Sequence, residues 1–215
     1  LEDKFEEHTY IHGYGLKKLP KEILRYVEGK DFIDAGAYWG DTAIFFQKVY
    51  KPRQVFAYEP VSLNADQLRE TVDKNNLNGQ IVVVQKGLGE EESQADIYIN
   101  PEQLSGCSMN ESFTDKNMTK ETIHIATIDD ECKDRSVGLI KMDIEGAEYG
   151  AIKSGLATIK RDKPVLLISL YHTGKDFFEI PPMLKEAVPD YQFRFVNIEL
   201  LNPFSEKILV AYPRL

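Results

Sequence analysis

Short apolar runs alternate with amphipathic stretches along most of this chain, and that alternation restricts it to a small set of folds. Asp31–Ala35, Gln54–Tyr58 and Ile81–Val84 are brief and rich in β-branched and aromatic residues, as buried strands are. Between them, Thr42–Tyr50 and Ser62–Asn76 read as helices, the second with Ser62 at its N-cap and Asn78-Gly79 beyond its end. The pattern resumes with Gly138–Asp143 (strand), Ala147–Ile159 (helix), Val165–Leu170 (strand) and Asp176–Ala187 (helix). It closes with two strands, Gln192–Ile198 and Lys207–Tyr212. Such alternation predicts one α/β domain over residues 1–215, with a mainly parallel sheet wound on both faces by helices. The final pair lies too close for a helical crossover, so one of those strands runs antiparallel.

Two segments fall outside the alternation. Residues 1–30 form an N-terminal lead-in; its start, Leu1–His8, has neither an initiator Met nor a signal-peptide pattern, as expected of an internal domain. Gly89–Thr127 interrupts the sheet and reads as an inserted β-hairpin, Ala95–Asn100 with Thr122–Ala126, around a loop from Pro101 to Lys120. Within that loop Ser105-Gly106-Cys107-Ser108 is a small-residue turn able to close over a ligand.

The net charge of −9 argues against a nucleic-acid partner, which needs a basic face. No apolar run is long enough to span a membrane. Two cysteines, Cys107 and Cys132, make neither a disulfide framework nor a zinc site, and a reducing cytoplasm is the expected address.

In an open parallel sheet, ligands bind beyond the carboxyl ends of the strands. The first strand ends in Asp34-Ala35-Gly36-Ala37-Tyr38-Trp39-Gly40-Asp41, a glycine turn leading directly into a helix. A dinucleotide site would want G-x-G-x-x-G, but Tyr38 stands where the middle glycine would be, and Asp41 puts a carboxylate where pyrophosphate would lie. A ligand with a sulfonium and an ammonium group tolerates that acid. The second strand ends in Glu59, placed to accept both hydrogen bonds of a ribose diol. Turn and acid together predict an adenosine-containing ligand.

These segments, with Thr127-Ile128-Asp129, Lys141-Met142-Asp143-Ile144-Glu145-Gly146-Ala147-Glu148 and Ser169-Leu170-Tyr171-His172, resemble the FkbM-type S-adenosylmethionine-dependent methyltransferases. The family's usual turn has Asn where Tyr38 stands. The resemblance implies a Rossmann-like seven-stranded sheet of order 3-2-1-4-5-7-6 with strand 7 antiparallel, and methyl transfer, commonly to a hydroxyl oxygen of a small molecule or saccharide. It also implies that Asp34, Gly36, Ala37 and Gly40 form the cofactor turn, that Glu59 holds the ribose, and that Gly87 and Leu88 lie near the adenine. Asp143 would face the cofactor's amino group or the acceptor.

A hydroxyl acceptor gains from a base that takes its proton as the new bond forms. Asp143, Glu145 and His172 all fall at strand ends on the predicted carboxyl edge and are the candidates; no ligand spacing calls for a metal. Glu148, in the first turn of the next helix, reads as an acid complementing the helix dipole. Tyr38, Trp39 and Tyr171 are candidate aromatic walls, whereas Phe177 and Phe178 read as helix core. Two rival readings remain: a nucleotide-cofactor oxidoreductase on a related sheet, and a cofactor-binding module without catalysis.

Overall fold

A computed structural model of the protein describes residues 9, 13–99, 118–197 and 207–215. The described residues form ten strands, β1 Asp31–Ala35, β2 Val55–Tyr58, β3 Ile81–Val84, β4 Gly87–Leu88, β5 Ser93–Ile99, β6 Thr119–Ala126, β7 Val137–Met142, β8 Val165–Ser169, β9 Tyr191–Asn197 and β10 Lys207–Pro213. Seven of them form the main sheet in the order β3-β2-β1-β7-β8-β10-β9. This is the order the family resemblance implied. All neighbours pair parallel except β10, which runs antiparallel to both β8 and β9.

Alternate residues of each strand feed two separate cores, because successive side chains leave opposite faces of a sheet. Phe32, Val55, Ala57, Leu139, Leu167 and Val210 join one core. Ile33, Phe56, Tyr58, Ile140, Leu166 and Leu209 join the other. The first core is covered by helices α1 Lys21–Val27, α2 Asp41–Tyr50 and α3 Ser62–Lys74. The second is covered by α4 Ile128–Cys132, α5 Glu148–Ser154, α6 Leu156–Asp162 and α7 Gly174–Ala187. With both faces buried, the strands read as continuous apolar runs, which is why the sheet was visible in sequence.

Three local expectations change. The helix expected over Ala147–Ile159 is two helices meeting at Gly155. A Cβ at Gly155 would lie 2.9 Å from Ile128 Cβ, so the break lets α4 pack close. Phe177 and Phe178 are not core: Phe178 is 75% exposed, and the pair packs on itself and on exposed Phe195. The inserted hairpin is present, β5 antiparallel to β6, but β6 begins at Thr119, inside the segment read as loop, and β4 adds a third strand parallel to it. The Ser105–Ser108 turn and Cys107 lie outside the described residues. Among the described residues no helix is long and apolar enough to cross a membrane.

Candidate active site

The glycine turn and the Asp143–Gly146 turn follow adjacent strands, β1 and β7, and touch. The backbone N–H of Asp143 donates to Ala35 O at 3.1 Å, and a Cβ at Gly36 (φ +73°) would sit 1.8 Å from Asp143 O. Each turn contains one non-glycine residue in the left-handed region, Tyr38 (φ 47°) and Glu145 (φ 56°). That conformation is uncommon outside glycine and asparagine, so an Asn in the family pattern at Tyr38 is what the backbone would favour.

A glutamate from outside the turn fastens each one. Glu59, at the end of β2, accepts the Tyr38 N–H at 3.0 Å through Oε2, while Oε1 accepts the Val61 N–H at 3.1 Å and Asn64 Nδ2 at 3.4 Å. Burial pushes the Glu59 carboxyl up to about 7, against these three bonds. Glu148 accepts the Ile144 N–H and the Gly146 N–H, both at 2.8 Å, through its two oxygens. Its expected role as a helix-dipole acid is therefore too small. Wholly buried, it closes the turn around Glu145 and also lies 2.8 Å, Oε1 to Nδ1, from the His172 ring.

His172 stands after β8 with its ring between acids. Nδ1 faces Glu148, while Nε2 lies 3.5 Å from Asp143 Oδ1 and 3.7 Å from Glu145 Oε2. Burial alone would lower its pKa; the Glu148 hydrogen bond and the charges of Glu148, Asp143 and Glu145 prevail and raise it. Burial likewise works to raise Asp143, but Lys141, His172 and a hydrogen bond from Tyr14 hold its carboxyl below the usual range. Tyr171 also donates to Asp143 Oδ1, at 3.1 Å. Asp143, Glu148 and His172 bring donor atoms within 4.8 Å of one another. Of the two ring nitrogens, Nδ1 is hydrogen-bonded to Glu148, both of whose oxygens also hold backbone N–H groups, while Nε2 lies at ion-pair distance from Asp143 and Glu145.

Beneath the turns lies an ion pair. Lys141 Nζ is 3.1 Å from Asp34 Oδ1 and donates to Gly36 O at 2.7 Å and Ala35 O at 3.3 Å, with both side chains almost wholly buried. Burial would lower the Lys141 pKa, but Asp34, Asp143 and Asp41 hold the ammonium charged. Asp34 therefore sits under the turn rather than at its surface. Ala37 and Leu88 have their side chains in the two cores, so that only their backbone can face a ligand; Gly87 pairs with Ile125 in the small sheet. The carboxyl edge thus gathers Asp143, Glu145, His172, Gly36, Gly40 and Glu59. Sequence reading did not find Glu148, Lys141 or Tyr14 as parts of it. A lysine within an apolar strand was the one available signal.

The FkbM methyltransferase domain family matches residues 34–195, which carry both turns, Glu59, Glu148 and His172. The chain belongs to the FkbM methyltransferase family. A solved FkbM methyltransferase from Methylobacillus flagellatus KT is 25% identical, with a TM-score of 0.66 over 86% of this chain and 44% of that one. The FkbM domain seen here thus spans less than half of that longer relative. An rRNA methylase from Streptococcus thermophilus shares the fold at 10% identity and a TM-score of 0.55, covering 100% of this chain and 99% of its own. So does a Streptococcus mutans protein assigned as a methyltransferase and solved with S-adenosylhomocysteine, at 13% identity and a TM-score of 0.54, covering 92% and 98%. No curated protein matches the chain.

Proposed function

We propose that this FkbM-family chain is an S-adenosylmethionine-dependent methyltransferase that methylates a hydroxyl of a small molecule or saccharide, with His172 as the base. The observation that carries this reading is the His172 ring, held at Nδ1 by buried Glu148 with Nε2 turned toward the carboxyl edge. A hydrogen bond at one ring nitrogen fixes the tautomer and the role of the other.

The residues at the glycine turn fit the cofactor by charge. Asp41, Glu59 and Asp143 surround the turn, and the one lysine beneath it is spent on Asp34 and backbone carbonyls, so positive ligand groups are favoured there. The Streptococcus mutans protein, of the same fold, was solved with the cofactor product. S-adenosylmethionine would supply a methyl group on sulfonium, transferred in line to the acceptor oxygen. Gly36 and Gly40 would admit the methionine part and Glu59 would hold the ribose, with Gly87 and Leu88 beside the adenine. His172 Nε2 takes the hydroxyl proton as the oxygen–carbon bond forms, and Glu148 steadies the imidazolium that results. Asp143, already holding hydrogen bonds, stays anionic and serves as an electrostatic partner rather than a base. Glu145, half-exposed, borders the acceptor side.

The acidic balance supports a small acceptor over RNA, since phosphate contacts need basic groups. A free thiol at Cys132, buried and pushed up to about 12, suits a reducing cytoplasm. The test is twofold. S-adenosylhomocysteine, but not NAD, raises the melting temperature; stabilisation by NAD alone would return the oxidoreductase reading. Labelled methyl transfer to a panel of hydroxyl compounds must occur with wild type and fail with His172→Ala. Cofactor binding without transfer to any acceptor would leave a binding module.

A further inference from the structure

The lead-in ahead of the family-matched region enters the site. Its 3-10 segment, Gly13–Lys18, kinks through left-handed Tyr14 (φ 49°) and Gly15 (φ 87°), which turns the Tyr14 ring inward. Tyr14 is 8% exposed and belongs to the first core, its ring centroid 5.3 Å from Lys141 Nζ. Its hydroxyl donates to Asp143 Oδ2 at 2.8 Å. Thr9 makes a second tie from the same lead-in, donating to Asp41 Oδ2 at 2.5 Å.

We propose that Tyr14 is a positioning residue of the acceptor site: with Tyr171 on Oδ1 and Tyr14 on Oδ2, the Asp143 carboxylate is pinned from both sides at the edge of the His172 ring. Two donors on different oxygens fix the plane of a carboxylate, which one donor leaves able to turn. The alternative orientation for a released Asp143 is toward Lys141, the stronger of its two positive neighbours. Tyr14 therefore keeps Asp143 facing His172 instead of sinking toward the ion pair below. A left-handed non-glycine residue is strained, and the strain is located where a side chain must reach the site. The lead-in becomes part of the active site, although it lies outside the family-matched residues.

The inference rests on His172 as the proposed base, and its test needs no acceptor. The groups facing His172 are Glu148 from α5, Asp143 and Glu145 from the turn after β7, and Asp176 from α7. In the whole chain, the His172 ring is titrated by NMR in wild type, Tyr14→Phe, Asp143→Asn and the double variant, with the melting temperature and the dispersion of the backbone amide spectrum as the check on folding. Tyr14→Phe lowers the His172 midpoint by roughly half a pH unit as the carboxylate turns away. The double variant titrates like Asp143→Asn alone. 3,5-Difluorotyrosine at position 14 keeps the donor and restores the wild-type midpoint. Once an acceptor is known, Tyr14→Phe lowers kcat about tenfold with KM for the cofactor within about twofold. An unchanged or raised midpoint in Tyr14→Phe overturns the proposal, as does a shift that persists in the Asp143→Asn background. Loss of methyl transfer in none of the His172 variants would instead overturn the base reading while leaving the NMR result intact.

Discussion

The Nδ1 of His172 and the Oε1 of Glu148 meet at 2.8 Å, and the same glutamate closes the backbone turn that carries Asp143 and Glu145. One buried side chain thus sets both the ring and the loop opposite it. His172→Ala is expected to lower turnover about 10²–10⁴-fold, the usual worth of a general base, with S-adenosylhomocysteine affinity within about threefold. Glu148→Gln lowers turnover by a smaller factor, because the ring loses its fixed tautomer but stays in place. Single-turnover kinetics and calorimetric binding separate the two effects.

Glu148→Leu should cost about 3–5 kcal/mol, since it leaves two part-buried N–H groups and the ring without their partner. Urea denaturation measures this directly. A loss under about 1 kcal/mol would mean the turn closes without Glu148.

The raised pKa of His172 gives activity and stability opposite pH dependences. With His172 as the proposed base, turnover should rise with pH as the ring loses its proton, with the acid limb above the ordinary value of 6.5. The stabilisation that His172 draws from its acids is complete below the unfolded value and is lost as pH rises through the folded one. Melting curves of wild type and His172→Ala between pH 5 and pH 9 should converge toward the alkaline end.

Glu59 predicts a third dependence. Beside the N–H groups that it already accepts, only its anion keeps an acceptor position for a ribose hydroxyl, and burial pushes its carboxyl up to about 7. S-adenosylhomocysteine should therefore bind about tenfold more weakly at pH 6 than at pH 8. A flat profile over that range would remove Glu59 from the cofactor site.

Gly36→Ala and Gly79→Ala separate backbone strain from collision. Both glycines have positive φ, but a Cβ at Gly79 meets nothing within 4 Å, whereas at Gly36 it would strike Asp143 O. Gly79→Ala costs about 1–2 kcal/mol and leaves binding alone. Gly36→Ala drives the two turns apart and lowers cofactor affinity at least about 100-fold; calorimetry reads both.

What the residues revealed and what they hid divides along one physical line. Strands buried on both faces, such as Val165–Ser169, write their identity as uninterrupted apolar runs, and the family pattern supplied their order. The break at Gly155 was hidden because Ile152, Leu156 and Ile159 continue a helical spacing across it. Only the proximity of Ile128, a contact between distant segments, demands a glycine there. Phe177 and Phe178 looked like core because aromatic residues usually are, yet which side of α7 faces the sheet is decided by Ile180 and Leu184. His172, Asp143 and Glu145 were legible from their places at strand ends together with the family pattern. Glu148 was read only as a dipole acid, which its place in the first turn of α5 fits, because its partner His172 comes from another strand. Tyr14 was missed because its hydroxyl meets Asp143 only through a contact between distant segments.

The buried pair of Asp34 and Lys141 has a consequence for how the sheet assembles. The two residues are direct partners across β1 and β7. Sliding either strand by one position would turn its charge to the opposite face, against Ile33, Ile140 and Met142. A lone ammonium or carboxylate among aliphatic side chains is several kcal/mol worse. The pair is thus a checksum for strand alignment. Only chains that have matched the central strands correctly can bury it, and those are the chains in which the two site-bearing turns come to lie side by side.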